Sequence, residues 1–243
     1  MENEFKKISS AVPKESDFID VILSLKEQTP TLRTYDDEDD PFVIDDMIDS
    51  CYVKVSSAVT RFADMFSKVY DEFPNVFGLD PLDRSILRRR FNFLRYEEAR
   101  GEASFASYMM ANISAKYLNL LRADVCDSLD KCKSLKRAAF ARMLAVVRRC
   151  VPSLAFLDKV REYMANLDVG GEHASASAAS NYNHDEGYTA PQLTRREFAE
   201  NIEQLVDPQT LVWLEGLDRV PVQSLKDAAG MNLVRCASTH TAK

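Results

Sequence analysis

Apolar residues recur every three or four positions along most of the chain, which is the spacing of one face of an α-helix. Four long stretches share this pattern: Pro41–Phe73, Leu82–Tyr96, Ala103–Arg122 and Leu129–Arg149. An amphipathic segment, Ser153–Leu167, continues the last stretch beyond Pro152. We expect a kink or break in the helix at Pro152 and a second one at Gly101. The pattern predicts an all-α protein whose residues 16–167 form an antiparallel bundle of about four long helices.

Capping residues mark where several of these helices begin. Ser16 is a candidate N-cap for a short first helix, and Asp80 followed by Pro81 starts the helix after Pro74. Residues 1–15 are polar, and we expect them to be disordered.

A low-complexity segment follows the bundle. Residues 168–192 are small, polar and rich in Gly, Ala and Ser, as in a flexible linker. Residues 193–243 then form a short, mostly helical tail, in which Thr194 and Glu197 predict a capping box. The tail carries a second short helix, Pro208–Leu217, and a candidate strand at 220–222.

One helix is unusually basic for an acidic protein. The chain has a formal net charge of −7, yet all charges from Lys131 to Arg149 are positive: Lys131, Lys133, Lys136, Arg137, Arg142, Arg148 and Arg149. A second cluster, Arg88, Arg89 and Arg90, lies on the helix after Pro81. Two interpretations stay open. The cations bind a polyanion such as RNA, or their long side chains extend from the core to pair with acidic neighbours.

The residue types needed for catalysis do not converge in this sequence. The histidines His173, His184 and His240 fall in the linker and the tail, so we predict neither a catalytic site nor a metal site. G-x-x-x-x-G-K-[ST] is absent, which predicts no nucleotide-binding residues. The composition predicts neither a membrane span nor a small-molecule substrate. Five irregularly spaced cysteines predict reduced thiols in a cytosolic or nuclear compartment.

The run Cys126 to Met143, CDSLDKCKSLKRAAFARM, resembles the N-terminal helical domain of the nucleolar GTP-binding protein one family, ribosome assembly factors related to Obg-type GTPases. Other segments resemble the same domain in order: 18–24 with 29–31, 51–55, 73–74 with 80–81, and 153–167. The resemblance covers roughly residues 13–167. Faint likeness at 220–222, 224–225 and 230–237 to the last strand and helix of a GTPase domain implies that the tail is a remnant of one.

The resemblance implies a bundle that docks on large-subunit rRNA of the pre-60S particle in the nucleolus, beside assembly factors or ribosomal proteins. The two basic clusters named above would then bind RNA. GTP and magnesium are expected of the family, but their site is missing here, so we expect no GTP hydrolysis by this chain. Two alternatives remain: a truncated GTP-binding protein fragment, and a helical interaction module that competes with the full-length GTPase through acidic residues such as Asp36–Asp40.

Overall fold

A computed structural model describes residues 5, 8, 11–27, 41–123, 126–166 and 191–219. These residues contain seven α-helices and no strand, which confirms the all-α class. The helices are α1 (Glu15–Glu27), α2 (Pro41–Glu72), α3 (Pro81–Phe91), α4 (Phe93–Arg122), α5 (Leu129–Ala165), α6 (Arg195–Asn201) and α7 (Pro208–Arg219). The predicted linker up to residue 190, the candidate strand, the acidic run and the three histidines lie outside the described residues.

The bundle is built on α2, α4 and α5, which are 32, 30 and 37 residues long. Neighbouring helices run antiparallel, as their contacts show: Phe73 meets Tyr96 at one end of the α2–α4 pair, and Tyr52 meets Arg122 at the other. Helix α1 packs on α2 and α5, and α7 packs on α5. The described residues therefore contain three long helices, whereas the sequence pattern predicted about four.

The core continues to the start of the chain. Phe18 lies between Phe62 and Phe66 of α2, with ring centroids 5.0 and 4.9 Å away. Phe5 and Val12 are also buried, at 0% and 5% exposure. The expectation of disorder up to residue 15 does not hold at these positions, because their apolar side chains fill the bundle core.

The predicted break at Gly101 was wrong, since α4 runs through this residue. The chain turns at Asn92 instead, which has a positive φ of 52°, a conformation that asparagine tolerates better than most residues. The Asn92 side chain also accepts the backbone N–H of Leu94 at 3.1 Å and so caps α4. The lack of a side chain at Gly101 leaves room for Arg195, because a Cβ there would lie 2.7 Å from Arg195 Nη2.

Pro152 lies inside α5 and does not end it. A proline in a helix interior costs about 3 kcal/mol, because one backbone hydrogen bond is lost and the ring crowds the preceding turn. Leu154 and Leu157 beyond it are 2% and 0% exposed, and burying each such side chain contributes about 1.5–3 kcal/mol. Burial on both sides of the proline therefore outweighs its cost.

Local capping signals were largely reliable. Asp80 accepts the N–H of Leu82 at 2.9 Å with Pro81 at the first position, and Thr194 and Glu197 form the predicted capping box. Ser16 was a wrong assignment, because α1 already includes Glu15. None of the described helices is long and apolar enough to cross a membrane.

Four of the five cysteines lie within the described residues. Cys51 and Cys150 are free, as predicted, and burial raises the pKa of both thiols. The structure places Cys126 beside Cys132, with their Cα atoms 5.9 Å apart. The first turn of α5 brings Cys132 back over Cys126, a proximity that irregular spacing did not indicate.

Candidate nucleic-acid interface

The predicted basic residues of α5 differ in exposure and in partners. Lys131 lies nearest the start of the helix, 3.4 Å from Asp127, and both side chains are exposed. An exposed pair of this kind contributes at most about 1 kcal/mol. Lys133 and Arg137 are half-buried, and no ion pair links either to a carboxylate among the described residues.

Three more of these cations pair with carboxylates of the tail. Lys136 Nζ lies 2.6 Å from Asp218 Oδ1, and Arg142 Nη2 lies 4.0 Å from Glu203 Oε2. Arg148 Nη1 lies 3.5 Å from Asp207 Oδ2. The tail therefore neutralises much of the predicted basic face of α5. These three cations therefore pair with acidic neighbours, as the second of the two interpretations from the sequence expects.

Arg149 is the centre of a cluster that we call the Arg149 hub: Arg149, Glu102, Arg195, Phe105 and Phe198. Arg149 Nε donates to Glu102 Oε2 at 3.0 Å, and the two side chains are 6% and 4% exposed. Arg195 Nε donates to the other carboxylate oxygen at 2.8 Å. Removing one partner from such a buried pair typically costs 3–5 kcal/mol. Arg149 therefore holds the structure together and is not open to a ligand.

The aromatic rings of the hub pack on its arginines. The Arg149 guanidinium lies 4.9 Å from the centroid of Phe198 and 5.5 Å from that of Phe105. Cations at this distance are attracted to the ring face. Because Phe198 belongs to α6, the hub fastens the tail to the bundle.

The second predicted cluster lies at the end of α3 and is more open. Arg88 and Arg89 are exposed, and no carboxylate among the described residues pairs with either. The Arg90 guanidinium lies 5.3 Å from the ring centroid of Tyr163, and Arg88 lies 5.7 Å from that of Phe93. All three occupy the last turn of the helix, where positive charge also interacts favourably with the helix dipole.

The same corner of the bundle carries exposed apolar side chains. Phe77, in the 3₁₀ turn Val76–Gly78 before α3, is 80% exposed. Leu82 and Leu94, in the first turns of α3 and α4, are 54% and 65% exposed. Sequence reasoning missed these residues. The only available signal was an aromatic side chain within the turn-forming segment between two helices.

Sequence reasoning also missed a pocket where α1, α2, α5 and α7 meet. Its lining includes Lys26, Lys54, Lys136 and Arg137, with Asp218 as the one carboxylate. Lys26 and Lys54 are isolated cations in the sequence and carried no signal. Among the described residues, no group of three or more His, Cys, Asp or Glu side chains is placed to hold a metal ion.

The fold defines a class: an all-α bundle domain built on three long helices. The chain belongs to the family of the NOG1 N-terminal helical domain, whose model matches residues 5–169.

Curated relatives agree with this assignment. Nucleolar GTP-binding protein 1 of Arabidopsis thaliana is 35% identical over 164 residues, which are 67% of this chain and 23% of that protein. The protein of the same name from Drosophila melanogaster is 30% identical over 167 residues, 67% of this chain and 24% of that protein. The Saccharomyces cerevisiae protein is 27% identical over 169 residues, 69% and 25% respectively. The match thus spans about a quarter of the length of these relatives.

Proposed function

We propose that the protein is a nucleolar factor in the assembly of the large (60S) ribosomal subunit, and that it docks on pre-ribosomal rRNA. The docking site is the α3 arginine surface, which consists of Arg88, Arg89 and Arg90. The observation that carries the proposal is that Arg88 and Arg89 are exposed without a carboxylate partner in the described chain. The proposed role is one of binding, and GTP hydrolysis is not part of it.

The geometry favours α3 over α5 as the first point of contact. A phosphate that approached Lys136, Arg142 or Arg148 would have to replace a carboxylate of the tail. A phosphate that approached Arg88 or Arg89 would not have to replace a carboxylate of the described residues. Guanidinium groups suit phosphate oxygens because they donate in a planar fork.

The neighbouring surface fits RNA as well. Phe77 presents an exposed ring in the turn that precedes α3, and unstacked RNA bases bind to such rings. The nucleolar location is taken from the relatives, which are named nucleolar GTP-binding proteins. The ribosomal role is what the resemblance of residues 126–143 to the family implies.

The first test compares two double variants of equal charge change. Arg88→Glu/Arg89→Glu should lower affinity for large-subunit rRNA fragments at least tenfold and reduce the salt slope of binding by about 1.5, since each lost phosphate contact removes about 0.7–0.9. The control, Lys68→Glu/Arg196→Glu, reverses two exposed cations on α2 and α6 and should bind normally. Equal affinity of the two variants would refute the role of α3.

The second test determines the location and the binding partners of the protein in the cell. The tagged full chain should lie in the nucleolus, co-sediment with precursors of the large subunit and crosslink to their rRNA. The α3 double variant should lose the crosslinks and move towards the top of the gradient. Sedimentation of the unsubstituted protein only at the top, without crosslinks, would contradict the assembly role.

A protein-binding role is the second candidate, and the exposed Phe77, Leu82 and Leu94 favour it. Exposed apolar groups at one corner are typical of protein interfaces. In this case Phe77→Ala would remove the protein from pre-ribosomal particles, whereas Arg88→Glu/Arg89→Glu would leave it bound.

A further inference from the structure

Four cations converge on the pocket between α1, α2, α5 and α7. Lys26 comes from the last turn of α1, Lys54 from α2, and Lys136 and Arg137 from α5. Asp218 of α7 supplies the only negative charge of the lining. The lining therefore carries three more positive than negative charges. The remaining walls are apolar: Ile22, Leu25, Phe140, Leu214 and Leu217.

Burial and mutual repulsion disfavour the charged forms of the lysines in this pocket. The pKa of the Lys54 amine is lowered first by burial and then by the charge of Lys136. Burial also lowers the pKa of Lys26; the Asp218 charge opposes this fall, and the Lys136 charge adds to it. Cations that served only solubility would extend into water, away from one another. Several ammonium groups against one apolar wall are characteristic of a site that receives negative charge.

Asp218 shows how such a charge is bound. Its Oδ1 lies 2.6 Å from Lys136 Nζ, and the two side chains are 22% and 12% exposed. We propose that the pocket is a binding site for a phosphate group, and that Asp218 occupies the position of that phosphate as an internal competitor. Carboxylate and phosphate oxygens accept hydrogen bonds from the same donors, but a phosphate carries more charge and more acceptors.

The size of the pocket is compatible with this assignment. Its volume is about 40 Å³, and one water needs roughly 10–15 Å³ on the same measure. The inference is independent of the rRNA proposal, because the pocket uses none of the α3 arginines.

The test measures binding of inorganic pyrophosphate to the full chain by calorimetry at fixed ionic strength. Asp218→Asn removes the negative charge of the competitor and should raise the affinity at least about tenfold. Lys54→Gln, made in the Asp218→Asn background, should reverse that gain. The matched control is Glu200→Gln, which removes a carboxylate of the tail outside the pocket and should leave the affinity unchanged.

Two results would overturn the site. One is that Asp218→Asn, with a thermal midpoint showing that it is folded, does not bind pyrophosphate. The other is that Lys54→Gln leaves binding unchanged. The source of the phosphate follows from competition. If pyrophosphate displaces a single-stranded RNA from Asp218→Asn, the group belongs to an RNA backbone, and if it binds without displacing the RNA, the group belongs to a small phosphate compound.

Discussion

Tyr96 shows how one buried hydroxyl connects two parts of the bundle. The side chain is fully buried, and its hydroxyl donates to the carbonyl oxygen of Pro74 at 2.7 Å. Burial raises the pKa of this phenol well above its usual value, and the Glu97 charge adds to the rise while Arg100 opposes it. The folded protein therefore keeps Tyr96 neutral at pH values where an unfolded tyrosine ionises.

We expect Tyr96→Phe to lower the free energy of unfolding by about 1–2 kcal/mol at pH 7, because the Pro74 carbonyl loses its donor. Above the unfolded tyrosine pKa of about 10, the unfolded chain releases a proton that the folded chain retains. Wild-type stability should then fall by about 1.4 kcal/mol per pH unit from this residue, so the difference between the two proteins should shrink.

Urea denaturation between pH 7 and 11 measures both effects. Tyr108→Phe is the control, because that side chain is 62% exposed, and it should follow the wild type throughout. A Tyr96→Phe deficit that stayed constant to pH 11 would show that the buried hydroxyl ionises in the fold.

Within single elements, the structure differs most from the sequence pattern in α4. Gly101 suggested a break, yet the helix continues and the missing side chain admits the Arg195 guanidinium. Arg195 comes from α6, 93 residues from its partner Glu102. No local signal reports such a contact.

A double-mutant cycle should expose this role of Gly101. In an Arg195→Ala background, Gly101→Ala should stabilise the protein by about 0.5–1 kcal/mol, because alanine is the better helix former. In the wild type the same change should gain less or lose stability, because the new Cβ displaces Arg195 from Glu102. Thermal unfolding of the four proteins gives the coupling, and equal effects in both backgrounds would argue against the contact.

Other element boundaries show which features are predictable from sequence. The limits of α2 and the caps at Asp80 and Thr194 were correct because proline and capping side chains act within one turn. The turn at Asn92 was not foreseen, and α5 continues through Pro152, where a kink or break was expected, because the residues beyond the proline are buried. Sequence analysis therefore predicted the helices better than the points where they end.

For the whole molecule, the main feature that sequence analysis did not predict is the position of the tail on the bundle. Its residues 193–219 contribute Phe198, Leu214 and Leu217 to the buried core. Its carboxylates pair with α5 cations that sequence analysis had assigned to RNA. The basic residues could be identified from sequence, but their partners could not, because each pair joins residues far apart in the chain. Their RNA contacts stay a prediction.

We expect Phe198→Ala to loosen the tail while the bundle stays folded. Phe198 is 6% exposed and its ring faces Phe105 at 6.4 Å, and truncating a buried phenylalanine costs about 3–5 kcal/mol. Trypsin should then cleave after Arg195 and Arg196 at least tenfold faster. The control is Val212→Ala, which alters a side chain that is 69% exposed and should be cleaved at the wild-type rate. An unchanged cleavage rate in Phe198→Ala would show that the Arg149 hub does not hold the tail.

Arg148 touches both ends of the described chain. Its Nε donates to Glu15 Oε1 at 3.0 Å, in the first turn of α1, and its Nη1 donates to Thr210 Oγ1 at 2.7 Å, in α7. A ligand that moves α7 away from α5 would break the contact of Arg148 with Thr210 and leave its contact with Glu15. The strength with which α1 binds to α5 would then change. By reciprocity, a partner that grips α1 must alter the affinity of that ligand by the same factor. The two ends of the domain can therefore be allosterically coupled through one guanidinium group.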